Sequence, residues 1–93
     1  MIYAYAKLTV TNPDALAQYR EKAGDALARH GGKVEQGSGS AIPIDGTPDL
    51  PDVAAILSFP DKDSALGWIN DPDLAEVHDL RRSAGGSDIV LLT

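Results

Sequence analysis

At 93 residues the chain is long enough for one small domain and too short for two. Fourteen acidic against eight basic residues leave a net charge of −6, which repels a phosphate backbone and argues against nucleic acid as a partner. Cysteine is absent, so neither a disulfide nor a thiolate metal site is available, and two histidines are too few for a dedicated metal centre.

Met1 to Lys7 has no basic region ahead of an apolar run, so it does not read as a secretory signal. The longest apolar runs, such as Val53 to Leu57, are far too short to cross a bilayer. A cytoplasmic protein with no membrane partner is expected.

Ile2 to Val10 alternates with period two and predicts a strand. One face is aliphatic (Ile2, Ala4, Ala6, Leu8, Val10) and the other carries Tyr3, Tyr5, Lys7 and Thr9. Asn12-Pro13-Asp14 then opens a helix as cap, first-turn proline and dipole-complementing acid. At 100° per residue Leu16, Tyr19, Ala23, Ala26, Leu27 and His30 share its inward face, and Gly31-Gly32 stops it. Lys33 to Gln36 predicts a short second strand, with Gly37-Ser38-Gly39-Ser40 as a bend or bulge. Ile42 to Asp52, with three prolines and Gly46, is a loop or long hairpin connection.

Val53 to Phe59 is the strongest strand, apolar at nearly every position and so expected to be covered on both faces. Pro60-Asp61 ends it and caps a short helix through Ala65, Leu66, Trp68 and Ile69. Asn70-Asp71-Pro72-Asp73 interrupts that helix and restarts another, running to about Ala84. Ser87 to Thr93 closes the chain as a strand that is again apolar on both faces.

The order strand, helix, strand, strand, helix pair, strand is the split βαβ pattern of the ferredoxin-like class. It predicts an α+β fold, βαββαβ, with a four-stranded antiparallel sheet and helices on one face, forming a single domain over residues 1–93. The face without helices would be a large exposed apolar patch, which marks an interface. A small domain lacking disulfides or metals also gains most from association. A homodimer through the open sheet face is therefore expected, against the alternative of a monomer whose long loop folds over that face.

Several stretches, in order along nearly the whole chain, resemble one family. They are the first strand followed by Asn12-Pro13, Tyr19, His30-Gly31-Gly32, Asp45-Gly46, Phe59-Pro60, Ala65 with Trp68, Asp71-Pro72-Asp73 and Arg81. They are similar to the domain of unknown function 1330 (DUF1330), within the dimeric α+β barrel superfamily. The family's last helix usually opens Ser-Pro-Glu-Tyr, where this chain has Asp71-Pro72-Asp73-Leu74: the aspartate can cap as serine does, but the tyrosine hydroxyl is missing. The resemblance implies a ferredoxin-like dimer and no established reaction. The wider superfamily includes cofactor-free monooxygenases, isomerases, and decyclising or dehalogenating enzymes that act on small organic acids and aromatics.

Three polar side chains point where apolar ones should. His30 could act as a general acid or base, since its unperturbed pKa lies near about 6.5. It could equally serve the helix dipole, or pair with Tyr19 or a loop carbonyl. Arg81 falls within the apolar face formed by Leu74, Val77, Leu80 and Ala84, and a guanidinium aimed inward needs an anion. That anion is either a protein carboxylate or a ligand carboxylate or enolate. Tyr5, Tyr19 and Trp68 would shape an apolar wall for a substrate, with Tyr19 and Trp68 also fitting the core. His78, at the edge of its helix face, reads as solvated, although its i, i+3 spacing to Arg81 permits a shared site.

No phosphate loop, dinucleotide glycine motif, zinc-binding helix or cysteine nucleophile occurs, and no serine sits in a nucleophile elbow, so no cofactor is expected. Two functions fit these residues. One is a small-molecule-binding homodimer that works as a cofactor-free enzyme on a small organic acid or aromatic, by acid–base, isomerase or monooxygenase-like chemistry, with His30 and Arg81 as catalytic residues. The other is a non-catalytic dimeric binding or accessory module, in which the same residues form a satisfied internal network.

Overall fold

A computed structural model describes the whole chain, Met1–Thr93. The elements are β1 (Ile2–Leu8), α1 (Pro13–Ala28), β2 (Lys33–Ser38), β3 (Val53–Phe59), α2 (Lys62–Asn70), α3 (Ala75–Ser83) and β4 (Ser87–Leu92). A single 3-10 turn at Pro72–Leu74 joins α2 to α3. The strands form one antiparallel sheet in the order β2-β3-β1-β4, the ferredoxin-like arrangement that the element order predicts.

Local chemistry sets most boundaries. The Asn12 side chain accepts from the Ala15 amide at 3.2 Å and Pro13 occupies the first turn of α1. The helix ends at Ala28, and Gly31, at φ 72°, turns the chain away; a Cβ there would meet the Pro60 ring. His30 thus lies just beyond the helix rather than in its last turn. Strand β1 stops at Leu8, short of Val10, because the Val10 amide donates to the Asp52 carboxylate at 2.8 Å instead of to a strand.

Two further expectations are corrected. The bulge in β2 falls between Val34 and Gln36, while the Gly-Ser run continues the strand to Ser38 and then bends at Gly39 and Ser40. The extra residue, Glu35, accepts from the Ser58 hydroxyl at 2.7 Å, and this bond holds its carboxyl below the usual range. The second helix also starts later than expected, since Asp71 caps the 3-10 turn through the Asp73 amide before α3 begins at Ala75.

The main core lies between the helices and the inner sheet face. Phe59 and Trp68 meet there with ring centroids 5.6 Å apart, over Ala4, Leu27, Leu57 and Leu74. A smaller cluster of Leu8, Ala15, Leu16 and Ala84 closes the other end. The opposite sheet face is only partly covered: on β3, Ser58 is buried against Glu35 while Ala54 and Ile56 are half-buried. Register places Tyr3 beside Leu92 and Tyr5 between Ile56 and Val90 on this face. Val90 and Leu92 are each more than half exposed. The connection between β2 and β3 does not cover them: its own Ile42, Ile44 and Leu50 are exposed as well.

Candidate functional site

Beneath α1 the inner face of the sheet carries the small residues Ala6, Ala55 and Gly37, and the helices above do not fill the space. A cavity of about 400 Å³ remains between α1 and the sheet. Its walls are mostly apolar, with Leu16, Tyr19 and Leu27 from α1 above and Ala6, Ala55 and Ile89 from the strands below. Its charged lining consists of Arg20 and Arg81; no carboxylate faces it. The volume lies within the ordinary range for small-molecule sites, roughly 300–1,000 Å³.

Arg81 closes the deep end. It is only 3% exposed, yet none of the five ion pairs of the molecule includes it. Neutral groups hold it instead. Nε donates to the Ser87 hydroxyl at 3.0 Å and Nη1 to His78 Nδ1 at 2.8 Å. The guanidinium carbon lies 5.7 Å from the Tyr19 ring centroid and 5.3 Å from that of Trp68, within cation–π range of both. Nη2 makes no hydrogen bond to the protein. The cation is therefore oriented but not neutralised. An unpaired buried charge is costly, and its cost is recovered when a counter-anion arrives.

His78 is the residue that sequence reasoning misplaced. It is 2% exposed, not solvated. Because an arginine can only donate, Nδ1 must accept, which puts the proton on Nε2, where it bonds to the Trp68 carbonyl at 2.9 Å. Burial pushes the imidazole below its ordinary pKa, opposed by that carbonyl bond and reinforced by the Arg81 charge. A neutral His78 is what lets it accept from Arg81. The Trp68 ring meets it edge-on at 4.7 Å, and the indole N–H of Trp68 has no partner. The i, i+3 spacing of His78 and Arg81 was the visible signal for this pairing; Ser87 carried none.

The same fold is found in a crystal structure of RPA0582, a protein of unknown function from Rhodopseudomonas palustris. The two are 23% identical, the match covers 98% of this chain and 79% of that one, and the TM-score is 0.75. The methylated RPA0582 protein gives a TM-score of 0.75 at 22% identity, covering 99% of this chain and 78% of that one. No curated protein matches. A family model for a domain of unknown function, DUF1330, matches residues 1–93. The chain belongs to this family.

Within this DUF1330 chain the residues singled out in the sequence fall into separate places. Arg81 and Tyr19 come together at the cavity. Trp68 lies on the far side of the guanidinium, buried in the core. Tyr5 stands on the opposite sheet face, beside Ile56 and Val90, and does not reach this space. His30 is outside it too. Its Nε2 meets the Asp71 carboxylate at 2.8 Å, in a cluster where Arg29 contacts Asp71 at 3.2 Å and Asp73 at 2.7 Å. The His30 bond, with the Asp73 amide and Arg29, holds the Asp71 carboxyl below its usual range. Leu74, at the family's tyrosine position, is buried in the core. No helix of the structure is long and apolar enough to cross a membrane.

Proposed function

We propose that this chain binds a small organic anion with an apolar body in the cavity beneath α1, the carboxylate or enolate pairing with Arg81. The observation that carries this reading is a buried guanidinium held by neutral acceptors and left without a carboxylate. Tyr19 and the aliphatic lining supply the apolar contact, and Arg20 adds a second positive charge to the walls. His30, tied to Asp71 away from the cavity, holds the surface of the fold together rather than the ligand. Tyr19 is the phenol that both lines the cavity and lies beside Arg81, the Ser87 hydroxyl being engaged by Arg81 Nε, so binding is the primary role and enolate chemistry at Arg81 the secondary one.

The open sheet face supports a second part of the proposal, a homodimer. Tyr3, Tyr5, Ile56, Val90 and Leu92 form a contiguous apolar surface, exposed at Tyr3, Val90 and Leu92 and half-buried at Tyr5 and Ile56. Sedimentation equilibrium at micromolar concentration should give twice the monomer mass, and Val90→Lys should give the monomer. A wild type that sediments as a monomer removes the dimer.

The anion site is tested by thermal shift with benzoate and hexanoate against benzamide and hexanamide. The acids should raise Tm and the amides should not. Equal effects of acid and amide, or none, overturn the reading.

A further inference from the structure

The cavity has a direction. Register aligns one residue from each strand in a single lateral row beneath it: Ile89 of β4, Ala6 of β1, Ala55 of β3 and Gly37 of β2. All four line the cavity. Side-chain size falls along the row, from isoleucine beside the Arg81 end, through two alanines, to glycine at the β2 edge. Four strands span three inter-strand spacings, roughly 14 Å. The two ends differ in exposure: Arg81 is buried, whereas Gly37 and Val34 at the β2 edge are exposed. The space is a slot, closed by the guanidinium and open at the β2 edge.

Three glycines stand at the open end, Gly24 on α1 and Gly37 and Gly39 on and after β2. Neither backbone nor packing requires them. None has a positive φ. A Cβ would meet nothing within 4 Å at Gly24 or Gly39, and only the Ala54 carbonyl at 3.9 Å at Gly37. Gly24 is the most telling, because glycine in a helix interior destabilises relative to alanine. The fold tolerates a weaker helix where a side chain would stand in the mouth of the slot.

We propose that the slot takes an elongated monocarboxylate, its head at Arg81 and its alkyl or aryl body running toward β2, and that Gly24, Gly37 and Gly39 set the length it accepts. This rests on the anion-site reading above and adds the ligand's shape and the residues that select it. A side chain at position 24 shortens the slot without touching the guanidinium.

The test is calorimetric titration of the full chain with butanoate, hexanoate and octanoate, in wild type and Gly24→Leu, alongside the Tm of each. Each added methylene buried in the slot should strengthen wild-type binding about three- to fourfold, so octanoate should exceed butanoate on the order of 100-fold. In Gly24→Leu that ratio should collapse to a few-fold while Tm rises by about 4–8 °C from the better helix former. A structural glycine would lower Tm on substitution and leave the ratio alone. Carboxylates that bind without length dependence, or with the same dependence in Gly24→Leu, overturn the slot proposal and leave the anion site standing. Absence of carboxylate binding overturns both. Should Gly24→Leu fail to fold, Gly39→Leu, in the loop after β2, gives the same comparison of ratios.

Discussion

Two histidines, each beside an arginine, sit in opposite electrostatic settings. Around His30 every charge has a partner: Asp71 meets both His30 and Arg29, and Arg29 also reaches Asp73. Around His78 the charge is left over. Arg81 is held by an imidazole nitrogen, a hydroxyl and two aromatic rings, none of which neutralises it. Residue type alone does not distinguish these clusters. Charge balance does, and so does the neighbouring space: Arg81 lines the apolar cavity beneath α1, whereas the hollow that Arg29 lines is walled mostly by charged residues, with Glu21, Lys22 and Asp25 beside it.

The comparison breaks most sharply at Arg81. Arg81→Ala should weaken benzoate binding about 100-fold, the worth of roughly 3 kcal/mol of charge-assisted hydrogen bonding. Urea unfolding should meanwhile show a loss of at most about 2 kcal/mol, because removing an unpaired buried charge offsets part of the lost packing and the orphaned His78 acceptor. A variant that loses far more stability than this and still binds benzoate as tightly per folded molecule as the wild type would make Arg81 a structural residue.

His78 comes next. His78→Leu should weaken benzoate binding by about tenfold, since the guanidinium loses one of its two fixed hydrogen bonds, and should destabilise the fold by about 1–3 kcal/mol. Acid sharpens the same point. The folded-state pKa is lowered by burial, so the unfolded chain takes up the proton first. The contribution to stability is complete above about pH 6.5 and declines as pH falls toward the folded-state value. Urea midpoints measured between pH 7.5 and 5 should fall in the wild type and stay flatter in His78→Leu.

The half-buried His30–Asp71 cluster should give the smallest effect. Asp71→Asn keeps an acceptor for the Asp73 amide but loses its charge toward His30 and Arg29. Tm should drop by a few degrees, with the difference shrinking at high salt and benzoate affinity unchanged. The lowered Asp71 pKa places its own stability loss in a separate window, as pH falls through and below the ordinary carboxylate range. If Asp71→Asn affected benzoate binding as strongly as His78→Leu, the two clusters would not be functionally distinct.

The element order, the cap at Asn12, the stop at Gly31 and the open apolar sheet face were legible because each rests on local chemistry or on a short periodicity. Arg81 was legible as an inward cation for the same reason, since one residue of the wrong kind on an apolar helical stripe stands out. His30 was read inward from its helical phase, but the helix ends at Ala28, so that phase no longer applies by residue 30. The apolar stripe of Leu74, Val77, Leu80 and Ala84 centres away from His78 and makes it look solvated, whereas the face that α3 buries carries His78 and Arg81, with the Trp68 ring against the imidazole.

By itself, then, the sequence determined the α+β class, the aliphatic face that β1 buries and the presence of an inward guanidinium. Tertiary structure alone decided that no carboxylate comes to meet that guanidinium, that His78 and Ser87 orient it, and that Ile89, Ala6, Ala55 and Gly37 line up into a tapering floor. The physical reason is range. Caps, turns and faces are set by residues within a few positions of one another. Charge compensation and cavity shape are set by residues that strand pairing and helix packing bring together from as far apart as Ala6 and Ile89.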